Sequence, residues 1–186
     1  MDSVSCDKII SEANGNFVSP YVNRRSQITE KEILEGKIPY DYGEDRLLRK
    51  GDICWLDEKW INDLVWKYMW EANERSGWKF DITGLAIPQL SRYKKGDFFS
   101  LHKDGTGDNL SVEKLDSGLV KKISMTALLN DGYEGGQFMF SDNYVPDIGG
   151  KGSMVFFPSC KMHRVAPIKK GIRYSLVVWF VGPPFK

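Results

Sequence analysis

The sequence is poor in cysteine and histidine, and this scarcity limits what the chain can do. Its 186 residues contain three widely spaced cysteines, with no Cys-x-x-Cys motif, and two histidines. So few ligands exclude a zinc finger. A chain of this length can bury a core without disulfides, so we expect reduced thiols in an intracellular, cytoplasmic protein.

Long apolar runs and an excess of one charge are also missing. No stretch approaches the roughly 18 apolar residues of a membrane span, and "MDSVSCDKII" at the start carries an early acid. We therefore expect a soluble chain with neither a signal peptide nor a membrane anchor. The 26 basic and 25 acidic residues give a net charge of +1. This balance disfavours nucleic acid as a partner, since its binders usually carry a basic face.

The chain does contain a pattern of helix followed by strands. "LDEKWINDLVWKYMWEANERSG" has apolar residues at helical spacing, which predicts a helix with Asp57 as N-cap and Gly77 as C-cap. From residue 78 onward, short alternating segments separated by glycine turns predict many short strands, beginning with Trp78, Phe80 and Ile82.

This pattern predicts a mainly β fold with N-terminal helices (α+β). Many short strands with regular turns indicate a sandwich or jelly roll, which we place at residues 78–186. Residues 1–77 would form a helical or irregular support region, and the two parts would make one compact domain. The polar segment 105–118 is predicted to be a loop that covers a substrate.

The two histidines lie in settings that suggest metal binding. His102 and Asp104, in "SLHKDGTG", are two residues apart, so on a strand both would project to one face, about 7 Å apart. His163, in "KMHRVAP", is the only other imidazole. Two histidines and one carboxylate make the facial triad of non-haem iron(II). The alternative is a core His102 bonded to Asp104, with His163 at the surface or capped.

An arginine and a tyrosine could hold an anion near this triad. One face of the predicted strand "RYSLVVWFV" carries Arg173, Ser175, Val177 and Trp179. A buried arginine needs an anion, and its guanidinium group binds a carboxylate in bidentate fashion. Tyr93 could offer its hydroxyl to the same anion. The alternatives are an Arg173 that points outward beside Lys169 and Lys170, and a Tyr93 half-buried at a strand end.

Four segments between about residues 89 and 180 occur in a characteristic order. They are "YKKGDFFSLHKD", "ISMTALLND", "YEGGQFMF" and "GSMVFFPSCKMHRVAPIKKGIRYSLVVWF". This series resembles the iron(II)- and 2-oxoglutarate-dependent dioxygenases of the prolyl 4-hydroxylase type, and the resemblance implies a double-stranded β-helix (jelly-roll) core. Gln137 stands where such proteins more often have an acid, and Arg173 where the collagen-type enzymes have lysine. Both departures leave the substrate open.

The resemblance also implies roles for particular residues. His102, Asp104 and His163 would bind iron(II), Arg173 would pair with the distal carboxylate of 2-oxoglutarate, and Tyr93 would hydrogen-bond it. The same pocket would be lined by Ser124, Thr126 and Ser175, with Trp179 as a wall beside them. Gly135 and Gly136 are predicted to form a tight structural turn.

The implied reaction is hydroxylation of an unactivated C–H bond with 2-oxoglutarate and dioxygen as co-substrates and ascorbate as a candidate reductant. The leading substrate is proline in a peptide or protein. A free amino acid or another small molecule is the alternative. A second alternative is a jelly-roll binding module without catalysis.

Overall fold

Two helices and twelve short strands make up the part of the chain that the computed structural model describes, residues 1–20, 49–105 and 118–185. In order they are α1 (Ser3–Glu12), β1 (Arg49–Lys50), β2 (Asp52–Trp55), α2 (Lys59–Arg75), β3 (Gly84–Leu85), β4 (Gln89–Tyr93), β5 (Phe98–His102), β6 (Val120–Leu128), β7 (Glu134–Gly135), β8 (Phe138–Phe140), β9 (Met154–Pro158), β10 (His163–Val165), β11 (Ile168–Lys170) and β12 (Arg173–Gly182). The predicted class, mainly β with helices, is confirmed. Neither of these helices is long and apolar enough to cross a membrane.

The larger sheet has the strand order β2-β4-β12-β6-β9, and β3 also pairs with β12. β12 is its central strand and lies antiparallel to both β4 and β6. Because side chains alternate along a strand, β12 sends Leu176, Val178 and Phe180 to one face, and Arg173 and Ser175 to the other. We call these the outer and the inner face.

The outer face is covered by the two helices. Their buried side chains include Cys6, Ile9, Ile61, Val65 and Met69, and these share one core with Leu90, Ile123, Met125, Leu176, Val178 and Phe180 of the sheet. α2 begins at Lys59, with Glu58 at the N-cap position and no side-chain cap, so the prediction of Asp57 as N-cap is wrong. Gly77 follows the Ser76 C-cap with φ +67°, a conformation that ends a helix.

The inner face looks toward a smaller sheet of order β1-β5-β10-β8, and β7 pairs with β11 separately. A second apolar cluster includes Phe138, Phe140, Phe157 and Val165, with Phe99 packed against it. These side chains come from β5, β8, β9 and β10, so the cluster joins the two sheets. Two sheets packed around a shared interior form the predicted jelly roll.

Two details of the strand pattern differ from the sequence prediction. Residues 78–82 form no strand: Lys79 has φ +51°, and the buried Asn73 side chain bonds both the backbone N–H (3.0 Å) and the carbonyl (2.9 Å) of Phe80. These side-chain bonds take the place of the backbone hydrogen bonds that Phe80 would make with a neighbouring strand. In addition, β1 and β2 precede residue 78 and add an edge strand to each sheet. A domain boundary at residue 77 stays a prediction.

Candidate active site

The fold brings His102, Asp104 and His163 together between the sheets. The two histidines lie directly opposite each other across the antiparallel pair of β5 and β10. Asp104 follows the end of β5, where its backbone N–H donates to the carbonyl of Ser159 (3.1 Å). Its two carboxylate oxygens lie 3.7 Å from His102 Nε2 and 3.5 Å from His163 Nε2. One ligand atom from each of the three lies within 4.8 Å of the others, close enough to hold one metal ion.

Backbone carbonyls fix the orientation of both imidazole rings. Nδ1 of His102 lies 2.8 Å from the carbonyl oxygen of Ser100, and Nδ1 of His163 lies 2.9 Å from that of Lys161. Since a carbonyl can only accept, each Nδ1 carries a proton and donates it. The lone pair of each Nε2 is left facing Asp104, which is the arrangement that metal-binding histidines usually show.

The charge states in the triad also suit a cation. Burial raises the pKa of the Asp104 carboxyl, but the two imidazoles beside it, His102 and His163, outweigh burial and hold that pKa well below its ordinary value. Burial lowers the pKa of His163, against the opposing charge of Asp104. An ionised carboxylate and a neutral imidazole are the forms that bind metal. Among the described residues, Asp104 Oδ2 is buried with no hydrogen-bond donor, so a metal ion would satisfy it.

Arg173 forms a second centre on the inner face. It is 1% exposed, and its Nη1 donates to Ser175 Oγ (2.8 Å). Its Nε and Nη2 are buried and find no acceptor in the described part of the chain. Tyr93 lies opposite in register on β4, and its ring centre is 5.8 Å from the guanidinium carbon. An unpaired buried guanidinium is costly, so this position fits an anionic ligand.

Gly136 permits the arginine to lie where it does. A Cβ added at this residue would be 2.9 Å from Arg173 Cδ, and Gly136 has φ +66°. Gly135 before it also has positive φ, which agrees with the predicted turn. The Gly-Gly pair therefore contributes close approach to Arg173 as well as a change of chain direction.

A cavity open to solvent, with about 430 Å³ of empty space including its open mouth, contains the triad and reaches Tyr93 and Ser175 beside Arg173. Of the residues predicted for the site, those in its lining are Tyr93, His102, Asp104, Thr126, His163, Ser175 and Trp179. Arg173 lies behind Ser175. Ser124 lies outside the lining, where its hydroxyl donates to Ser159 Oγ (2.9 Å). The predicted covering loop, 105–118, falls almost wholly outside the described residues.

Sequence reasoning missed several residues of the cavity wall. They are Arg49, Gln89, Phe99, Phe138 and Phe157. Two of the phenylalanines pack against the imidazoles. The Phe99 ring is stacked on that of His102 with ring centres 3.5 Å apart, and Phe157 meets His163 edge-on with ring centres 4.7 Å apart. Alternation in "FMF" and "VFFP" could have assigned Phe138 and Phe157 to the inner face.

The fold is thus a jelly roll whose interior holds a triad of two histidines and an aspartate, together with the buried guanidinium group of Arg173. A family model described as the 2OG-Fe(II) oxygenase superfamily matches residues 88–181, about half of the chain, and the chain belongs to this superfamily. Membership implies iron(II), 2-oxoglutarate and dioxygen, and the donor set described above fits the metal.

Similar proteins agree with this assignment. A PKHD-type hydroxylase of Xylella fastidiosa (strain M12) is 32% identical over 102 residues, which are 50% of this chain and 43% of that protein. One from Cupriavidus metallidurans is 35% identical over 96 residues, 50% of this chain and 41% of that protein. The chain thus spans less than half the length of these curated relatives.

Solved structures show the same fold. The viral collagen prolyl hydroxylase of Paramecium Bursaria Chlorella virus-1, in its 2OG complex, matches with a TM-score of 0.64 and 19% identity, over 98% of this chain and 92% of that one. A Pseudomonas putida prolyl-4-hydroxylase matches at 0.63 and 18%, over 97% and 87%. The likeness confirms the predicted double-stranded β-helix.

Proposed function

We propose that the protein is an iron(II)- and 2-oxoglutarate-dependent dioxygenase that hydroxylates an unactivated C–H bond. The observation that carries this proposal is the presence of two incomplete centres at one cavity, the first in its wall and the second directly behind the wall residue Ser175. One is a triad of two Nε2 atoms and a carboxylate, and the other is a buried guanidinium with two N–H groups that lack acceptors. A metal ion and a dicarboxylate would complete both.

In this proposal His102, Asp104 and His163 hold one iron(II). The ion, together with 2-oxoglutarate and dioxygen, supplies the oxidant for the C–H bond while 2-oxoglutarate is converted to succinate and carbon dioxide. The backbone carbonyls that accept from each Nδ1 keep the two rings turned toward Asp104. The rings of Phe99, Phe138 and Phe157 limit water around the triad.

Arg173 and Tyr93 hold the far carboxylate of 2-oxoglutarate. The free N–H groups of Arg173 can donate two parallel bonds to it, which is the strongest arrangement for this pair. Ser175 positions the guanidinium by accepting from Nη1, and the hydroxyl of Thr126 is available from the neighbouring strand. Ser124 lies outside the cavity lining and donates to Ser159 Oγ instead.

Proline in a peptide or protein is the substrate we favour. Support comes from relatives described as PKHD-type hydroxylases and from neighbours described as prolyl hydroxylases. A free amino acid is the second candidate. A binding module without catalysis is disfavoured, because such a module would be expected to lack a triad member or Arg173.

Succinate formation from 2-oxoglutarate tests the proposal. Purified protein with iron(II), ascorbate and a panel of proline peptides and free amino acids should form succinate, and one product should gain the mass of one oxygen atom. A metal chelator should stop the reaction. The Trp70→Ala variant, which changes an exposed residue of α2, is the control and should still form succinate. No succinate under any of these conditions would overturn the proposal.

A further inference from the structure

An exposed tryptophan lies at the rim of the cavity. Trp55 ends β2 and is 50% exposed, and it lies opposite Gln89, a residue of the cavity wall. Its ring meets that of Trp179 at 6.3 Å with a tilt of 49°. Trp179 lines the cavity, whereas Trp55 does not. The two indoles therefore extend an aromatic surface from the cavity wall out to solvent.

Trp179 also carries a hydrogen-bond donor that has no acceptor among the described residues. Its Nε1 is buried, and none of the described residues accepts from it. A buried N–H without an acceptor is unfavourable, and native structures rarely leave one in place. A carbonyl oxygen of a bound ligand would satisfy this donor. The aromatic surface thus includes one polar position suited to a peptide group.

A lysine adds positive charge to the same rim. Lys121 Nζ lies 4.7 Å from the centre of the Trp179 ring. Lys121 packs closely on Gly105, the residue after Asp104: a Cβ added at Gly105 would be 3.3 Å from both the Cβ and the carbonyl oxygen of Lys121. No salt bridge of Lys121 with an acid occurs among the described residues. Arg49 adds a cation to the cavity wall itself, and Asp104 is the one acid among the described residues of that wall.

We propose that Trp55 docks an extended, proline-containing peptide that carries an acidic side chain near the target residue. This inference rests on the proposed function and specifies the substrate class of the same cavity. Extended proline-rich segments bind aromatic grooves well because they are ordered before binding. One residue packs on Trp55, a peptide carbonyl accepts from Trp179 Nε1, and the acid faces Lys121.

The position of Trp55 favours a peptide over a free amino acid. Because Trp55 belongs to the rim and not to the wall, a ligand must extend out of the cavity to contact it. A peptide does so and a single amino acid does not. Trp55 also precedes residues 88–181, the range matched by the family model. Trp55 therefore adds to the rim a contact that comes from outside the matched range, whereas Lys121 and Trp179 lie within it.

Peptide binding tests the rim without turnover. The probe is a fluorescein-labelled alanine peptide with a central proline flanked by aspartates, added to protein holding Mn(II) and 2-oxoglutarate without oxygen. Fluorescence anisotropy should show that Trp55→Ala weakens binding about tenfold, a typical loss for an interface aromatic. Trp55→Phe should restore part of it, and Trp70→Ala, the matched exposed tryptophan, should bind as the native protein does.

Reversal of charge gives a second readout. Lys121→Glu should bind a matched peptide with lysines in place of the aspartates better than the original, reversing the native preference. Equal binding by the Trp55→Ala and Trp70→Ala variants would overturn the proposal, and so would failure of the native protein to bind either peptide. The succinate assay with free amino acids separates the two proposals. If succinate forms but neither peptide binds, the protein is a dioxygenase and the proposed peptide docking at Trp55 is wrong.

Discussion

The two faces of the large sheet are both buried, yet they are built from opposite kinds of residue. On β12, the outer residues Leu176, Val178 and Phe180 are fully buried against the helices. The inner residues Arg173 and Ser175 are as deeply buried, at 1% exposure each. The strand thus carries a wholly apolar outer face, whereas its inner face begins with the polar Arg173 and Ser175 and continues with Val177 and Trp179.

The difference shows which face stabilises the fold and which one binds ligands. Apolar burial contributes about 25 cal/mol per Å², whereas a buried polar group destabilises unless it is paired. In the part of the chain that the structure describes, groups without protein partners lie on or opposite the inner face: Asp104 Oδ2, two nitrogens of Arg173 and Nε1 of Trp179. Changes on the outer face should therefore lower stability, and changes on the inner face should lower ligand binding.

The largest effect should follow loss of a triad member. His163→Ala should abolish both iron binding and succinate formation, because two ligands with an open third position hold the ion poorly. Metal content per chain and turnover are the measurements. Arg164→Ala, the next residue on β10 with an exposed contact to Asn143, is the control and should retain both. One iron per chain in the His163→Ala variant would contradict the assignment.

On the outer face, Phe180→Ala should lower the free energy of unfolding by about 3–5 kcal/mol, through lost contacts and a cavity. Denaturant unfolding measures this. The milder Ile123→Val should lower it by about 0.5–1.5 kcal/mol and leave 2-oxoglutarate affinity unchanged. A fall in that affinity would show that the two faces are not independent.

On the inner face, Arg173→Met should weaken 2-oxoglutarate binding by about 2–5 kcal/mol, the range for breaking a buried charge pair. The free energy of unfolding without ligand should rise, because an unpaired buried charge is removed. Titration calorimetry and denaturant unfolding together test this, with iron content as the control. Native-like 2-oxoglutarate affinity would mean that the carboxylate binds elsewhere.

Tyr93→Phe should have the smallest effect. It removes one hydroxyl while leaving the ring beside Arg173, so 2-oxoglutarate affinity should fall by about 0.5–1.5 kcal/mol, the worth of one hydrogen bond. Calorimetric titration of both proteins measures the change. An effect as large as that of Arg173→Met would show that the ring, and not only the hydroxyl, is displaced.

Much of the site could be predicted because its residues occur in recognisable local patterns. His102 and Asp104 are two residues apart, and so are Arg173 and Ser175, which share one face of a strand whose other face is apolar. The direct pairing of His102 with His163 could not be predicted, since the register between distant strands is not written in either segment.

The failures have physical causes as well. Trp78, Phe80 and Ile82 show the alternating apolar pattern of a strand. The Asn73 side chain, however, occupies the backbone N–H and carbonyl of Phe80 that a neighbouring strand would need. β1 and β2 are only two and four residues long, too short for an alternating pattern to stand out. Trp55 at the rim was missed for this reason.

A crystal structure with Mn(II) and an inert 2-oxoglutarate analogue would test the central claim most directly. The claim predicts one metal ion bound by Nε2 of His102, Nε2 of His163 and a carboxylate oxygen of Asp104. It also predicts the far carboxylate of the analogue on Nε and Nη2 of Arg173, the groups without acceptors among the described residues. Metal at other residues, or an analogue that leaves Arg173 without an acceptor, would contradict the account.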